Sequence, residues 1–182
     1  MFNTTIATQI YAKICFEATN SQKKIIENLS EYLSDDDFSR IFVLNGFAGT
    51  GKTTLIAAVV AALKELRIKP VLLAPTGRAA KVLARYCGEQ ALTIHKRIYR
   101  QRTNADYESK FSLDFNREQG AVFIVDEASM LSDSTGDGAL FGSGSLLEDL
   151  VSYVRSGRGC RLILVGDSAQ LPPVGCDFSP AL

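Results

Sequence analysis

Residues 46–54 of this 182-residue chain read GFAGTGKTT, and no other stretch limits its fold so sharply. The segment follows a run of branched and aromatic residues, RIFVLNG (residues 40–46), and opens GKTTLIAAVVAALKELRI, which is apolar nearly all round. The first pattern suits a buried strand and the second a buried helix. A glycine-rich turn between them curls tightly enough for successive backbone N–H groups to converge on one anion at the positive end of the helix. Gly46, Gly51, Lys52 and Thr53 match the spacing G-x-x-x-x-G-K-[ST] in the strand–loop–helix setting that gives the motif its meaning. Lys52 is placed to reach β- and γ-phosphates, and the Thr53 hydroxyl to ligate Mg²⁺. The expected ligand is ATP with Mg²⁺, lined by Gly46, Ala48, Gly49, Thr50, Gly51, Lys52, Thr53 and Thr54.

Three further runs resemble the first: KPVLLAP (69–75), AVFIVDE (121–127) and RLILVGD (161–167). Each is short, continuous and rich in branched residues, the mark of strands buried on both faces of a parallel sheet. Helical patterns alternate with them. Residues 78–87 end at Gly88, and GSLLEDLVSYVRSG (144–157) places Leu146, Leu147, Leu150, Val151 and Val154 on one stripe. Upstream, NSQKKIIENLSEYL (20–33) lines up Ile25, Ile26, Leu29, Tyr32 and Leu33, with Asn20 or Ser21 as its cap. The alternation predicts a right-handed βαβ sheet with ligands at the strand carboxyl ends. Two segments interrupt it. Residues 132–145 hold four glycines and read as a mobile loop, and residues 96–116 read as a hairpin around TNADYES.

In VFIVDEAS the acids close a buried strand. Asp126 is placed to hold the Mg²⁺ shell, and Glu127 to orient an attacking water and take its proton. A water nucleophile favours hydrolysis over transfer to a bound alcohol. Composition narrows the class further. The chain has 20 basic and 20 acidic residues, so it does not coat nucleic acid with its whole surface. Residues 78–110 nevertheless carry eight basic against three acidic residues, a local excess of +5 that suits one anionic partner on one face. Four scattered cysteines and one histidine give neither a metal framework nor a disulfide pattern. No apolar run approaches a membrane span. A cytoplasmic protein without a membrane partner is the expectation.

Five blocks in order now resemble the first motor domain of superfamily 1 DNA helicases of the RecD-like, 5′–3′ group, which includes the exodeoxyribonuclease V alpha subunit. They are GFAGTGKTT, LAPTGRAAK (73–81), TIHKRIY (93–99), FIVDEASM (123–130) and LVGDSAQLPPVG (164–175). The resemblance implies an α/β fold of the RecA-like P-loop NTPase type: a mostly parallel sheet flanked by helices, with the small inserted hairpin at 96–116. It implies that Gln22 reads adenine, that Gln170 senses the γ-phosphate and its water, and that the Pro172–Pro173 turn relays that state. It further implies that Pro75, Thr76, Arg78, Lys81, Thr93, His95, Arg97 and Tyr99 meet single-stranded or forked DNA. The insert interleaves Tyr99, Tyr107, Phe111 and Phe115 with Lys96, Arg97, Arg100 and Arg102; the aromatics either stack on bases or cap the hairpin against the domain. A helicase of this class also needs a second RecA-like domain, expected beyond Leu182, and its partners can include subunits of a nuclease complex acting in repair or recombination. A non-motor P-loop ATPase or kinase, which gives no reason for the +5 segment, and a nucleotide-regulated DNA-binding module are the alternatives.

Overall fold

The computed structural model describes residues 2–103, 109–131, 141–167, 169–170 and 179–182. All four apolar runs are strands: β1 (Ile41–Asn45), β2 (Pro70–Ala74), β6 (Val122–Val125) and β7 (Arg161–Gly166). A three-residue strand, β3 (Ala91–Thr93), completes a wholly parallel five-stranded sheet in the order β1-β7-β6-β2-β3. With only ALT to read, β3 is too short for periodicity to reveal.

Strand alternation explains why these runs are continuously apolar. In β6, Val122 and Ile124 enter one core while Phe123 and Val125 enter the other; Ile163 and Val165 of β7 oppose Leu162 and Leu164 in the same way. The first core lies beneath α1 (Phe2–Lys13), α2 (Asn20–Ser34) and α3 (Lys52–Glu65), joined by Leu83 of α4 (Gly77–Cys87). The second lies beneath α5 (Ile94–Ile98) and α6 (Leu146–Ser156). Each fully buried side chain such as Ile124 or Ile163 contributes about 1.5–3 kcal/mol, so the two cores fix the sheet that carries the loops.

Three differences from the sequence expectations have simple causes. The amino end forms α1, where FNTTIATQIYAK shows no broad apolar face; Ile6 and Ile10, one turn apart, are its buried anchors. The cap of α2 is Thr19 rather than Asn20 or Ser21, because Thr19 and Gln22 form a reciprocal capping box. The hairpin is the antiparallel pair β4 (Tyr99–Thr103) and β5 (Ser109–Leu113), and α5 takes the first three residues of the expected 96–116 segment. Its turn at 104–108, including Tyr107, lies outside the described residues, as does 132–140 of the glycine-rich stretch. The end of that stretch is anchored: the Phe141 ring stacks on Phe111 with centroids 4.5 Å apart, and Gly142 N–H donates to the Phe111 carbonyl (2.8 Å). Among the described residues no helix is long and apolar enough to cross a membrane.

Candidate functional site

The sheet order brings the chemistry together. The loop after β1, the Gln170 segment after β7 and the acids after β6 follow three adjacent strands at their carboxyl ends. Gly46 N–H donates to the Gly166 carbonyl (3.2 Å), tying the start of the glycine loop to the end of β7. Gly49 and Gly51 adopt φ of 78° and 85°, left-handed values that side chains disfavour. A Cβ on Gly51 would also come within 3.1 Å of the Gln22 amide nitrogen. Thr50 Oγ1 donates to the Phe47 carbonyl (2.8 Å), closing the turn. The Lys52 ammonium folds back over its own loop, donating to the Gly46 and Phe47 carbonyls, and lies 4.0 Å from the buried Asp167 carboxylate. Thr53 follows in the first turn of α3, partly exposed, and Ala48 and Thr54 are exposed on either side.

Against this loop, between α2 and β1, lies a cavity of about 690 Å³ whose walls include Phe16, Gln22, Ile25, Leu44, Phe47 and Thr50. Apolar sides with a polar rim suit a flat heterocycle. Gln22 stands at that rim with both ends engaged: Oε1 accepts from Thr19 N–H (3.0 Å), and Nε2 donates to the Thr50 carbonyl (3.3 Å). Each end keeps hydrogen-bonding capacity, one amide hydrogen and one lone pair, for a further partner.

At the end of β6, Asp126 N–H donates to the Leu73 carbonyl (3.0 Å) and Asp126 Oδ1 accepts from Glu127 N–H (3.0 Å). Glu127 has φ of 55°, a left-handed conformation unusual for a side-chain-bearing residue and frequent where function fixes geometry. Burial raises the pKa of Asp126, opposed by Glu127 N–H and by the Lys52 charge. Burial and the Asp126 charge raise that of Glu127, opposed by Arg78. Asp126 and Thr53 offer hard oxygen ligands, the donor type Mg²⁺ takes. Among the described residues no group of three or more His, Cys, Asp or Glu could hold a metal alone, so a cation at these two residues would draw its other ligands from phosphate and water. Ser129 Oγ donates to Gln170 Oε1 (3.0 Å), joining the turn after β6 to the segment after β7. Pro172 and Pro173 lie outside the described residues.

Beyond β6, the next strand ends feed the residues expected at DNA. Pro75 is partly buried, and Thr76, Arg78 and Lys81 are exposed; the Thr76 hydroxyl caps α4 by accepting from Ala79 N–H (3.2 Å). Thr93 caps α5 in the same manner, through Lys96 N–H (3.3 Å). His95 packs edge-on to Phe141 with centroids 5.1 Å apart, and burial lowers its pKa. Arg97 and Tyr99 face inward. The Arg97 guanidinium donates to Glu118 (2.7 Å), and the buried Tyr99 hydroxyl donates to Asp149 (2.7 Å). The two hairpin phenylalanines part ways: Phe111 caps the hairpin against Phe141, while Phe115 is 75% exposed. Sequence reasoning assigned no role to Asp167, Ser129 or Phe16. Asp167 and Ser129 sit inside quoted motif blocks, whereas Phe16 carries no local signal and is revealed only by the cavity.

With this geometry in place, comparison with known proteins decides the family. A family model described as an AAA domain matches residues 17–177. A protein named ATP-dependent RecD2 DNA helicase from Deinococcus radiodurans is 31% identical over 154 residues, covering 85% of this chain and 19% of the relative. The chain belongs to the AAA-domain family as a RecD-like superfamily 1 helicase motor domain. A RecBCD enzyme subunit RecD from Mycobacterium tuberculosis is 35% identical over 158 residues, 74% of this chain and 24% of its own length. This RecD-like chain therefore spans about a fifth to a quarter of these relatives. Its fold is that of the crystal structure of the Pif1 helicase from Candida albicans (TM-score 0.52, 21% identity), over 87% of this chain and 34% of that one.

Proposed function

We propose that this motor domain binds Mg-ATP at residues 46–54, hydrolyses it through Glu127, and uses the cycle to change its grip on single-stranded DNA. One observation carries the reading. Along the carboxyl edge of the sheet, the strand order sets phosphate loop, Gln170, acidic pair and the Thr76–Arg78 segment side by side. A triphosphate would draw the Lys52 ammonium off the Gly46 and Phe47 carbonyls, and the loop N–H groups would meet its oxygens. Phe16 and Gln22 would orient the base in the 690 Å³ cavity. Thr53 and Asp126 would hold Mg²⁺, which supplies charge neutralisation at the phosphates. Glu127, kept partly dry and beside Asp126, is suited to accept a proton from water. Gln170, held by Ser129, would report the state of the γ-phosphate to the turn that carries Glu127.

The names of the RecD2 and RecD relatives support placing this domain in a longer DNA helicase; 5′–3′ movement, a second RecA-like domain and, for some members, nuclease-complex partners belong to the same proposal. Titration with a fluorescent ATP analogue tests the first step. The chain should bind it with Mg²⁺ present and lose most of that affinity in Lys52→Ala. A wild-type chain that ignores the analogue would end the proposal.

A further inference from the structure

Two of the eight cations of the basic segment, Arg97 and Arg100, are paired within the domain. Glu118 holds Lys69 and Arg97, and Asp114 holds Arg100. The exposed side of α4 is different. Arg78, Lys81 and Arg85 make no hydrogen bond or ion pair among the described residues, although Arg78 acts electrostatically on Glu127. At offsets of three and seven residues they fall in one stripe about 60° wide and about 10 Å long. Like charges at these spacings destabilise a helix, so the stripe is a cost to the free domain that an anionic partner would offset.

Beside the stripe, one turn apart, lie Val82 and Tyr86, 47% and 61% exposed. With Arg85 they border a hollow of about 490 Å³, the described part of whose lining belongs to this one helix. A base needs only a platform with cations alongside. Thr76 caps the helix, so the stripe continues the segment already read as meeting DNA.

We infer that single-stranded DNA runs on from Thr76 along the outer face of α4, its phosphates against Arg78, Lys81 and Arg85 and a base stacked on Tyr86. This path rests on the DNA-binding reading above and adds Arg85 and Tyr86 to it. It also gives Arg78 two neighbours, the strand on one side and Glu127 on the other.

The test is anisotropy of labelled oligo-dT with the whole chain, Mg²⁺ and a non-hydrolysable ATP analogue, across a salt series. Arg85→Ala should weaken binding and flatten the log–log salt slope by about 0.7, one single-strand phosphate contact. Tyr86→Ala should weaken binding about tenfold with the slope unchanged, and Tyr86→Phe should bind as wild type. Oligonucleotides carrying 5-iododeoxyuridine should photocrosslink to Tyr86. All these side chains are exposed, and unchanged thermal melting would confirm intact folding. Normal binding by Arg85→Ala and Tyr86→Ala, alongside weakened binding by Lys81→Ala, would overturn the α4 path and leave the DNA reading standing. Loss of binding with crosslinks only to other segments would overturn it too. A wild-type chain with no oligo-dT affinity would instead remove the reading beneath it.

Discussion

The glycine loop (residues 46–54) and the hairpin are held in opposite ways. The loop is fixed from within by two left-handed glycines, a Thr50–Phe47 hydrogen bond and a lysine bonded to its own carbonyls. The hairpin is fixed from far along the chain: Phe141 stacks on Phe111 and Asp149 takes the Tyr99 hydroxyl. A self-organised loop can receive a ligand by exchanging its internal contacts. A hairpin whose inward residues are already committed has only its outward ones to offer.

Substitutions can break or sharpen that contrast. The largest expected effect is Lys52→Ala, which should lower ATP hydrolysis by two to three orders of magnitude or more while leaving the melting temperature nearly unchanged. Steady-state turnover and a thermal melt read both. The reverse pattern belongs to the hairpin. Phe111→Ala, which removes a partly buried ring from the Phe141 stack, should cost about 2 kcal/mol in urea unfolding and leave nucleotide affinity intact. Equal damage to both properties from either substitution would erase the distinction.

A smaller effect separates formal charge from available charge. Glu118→Gln should cost about 1 kcal/mol of stability, since Glu118 bridges Lys69 and Arg97 at a mostly covered site. It should also raise oligo-dT affinity severalfold by releasing Arg97, measured by anisotropy. Unchanged affinity would mean that Arg97 stays turned inward even when unpaired.

The smallest effect is one of pH. Burial raises the pKa of both Asp126 and Glu127 above their unfolded values, so the folded state keeps protons that the unfolded chain releases. These two groups therefore cost nothing below the unfolded carboxylate pKa and progressively destabilise the fold as pH rises through their raised folded values. The Asp126→Asn, Glu127→Gln double variant should gain stability over wild type in going from acidic to neutral pH. Melting curves of the two proteins across that range should diverge; parallel curves would contradict the burial argument.

The same contrast explains what could be read in advance. The glycine loop, the Asp126–Glu127 pair and the four long strands are contiguous, so local pattern reveals them. The hairpin aromatics are not: nothing near Phe111 or Phe115 in sequence tells which one meets Phe141. The +5 excess of residues 78–110 likewise counted Arg97 and Arg100 as available, although their acids, Glu118 and Asp114, stand just outside the counted window. Thr93 and Thr76 show a related ambiguity, because a threonine that opens a helix satisfies a cap and a strand-binding motif with the same atoms. Phe16 became visible only when α2 and β1 enclosed the cavity it lines.

The central claim is that nucleotide at one end of the sheet's carboxyl edge governs DNA at the other. Its most direct test is the oligo-dT dissociation constant, measured with and without a non-hydrolysable ATP analogue and Mg²⁺ at fixed salt. The account predicts a severalfold change in the wild-type chain and none in Lys52→Ala. Identical affinities in the wild type, or a change that survives in Lys52→Ala, would contradict it.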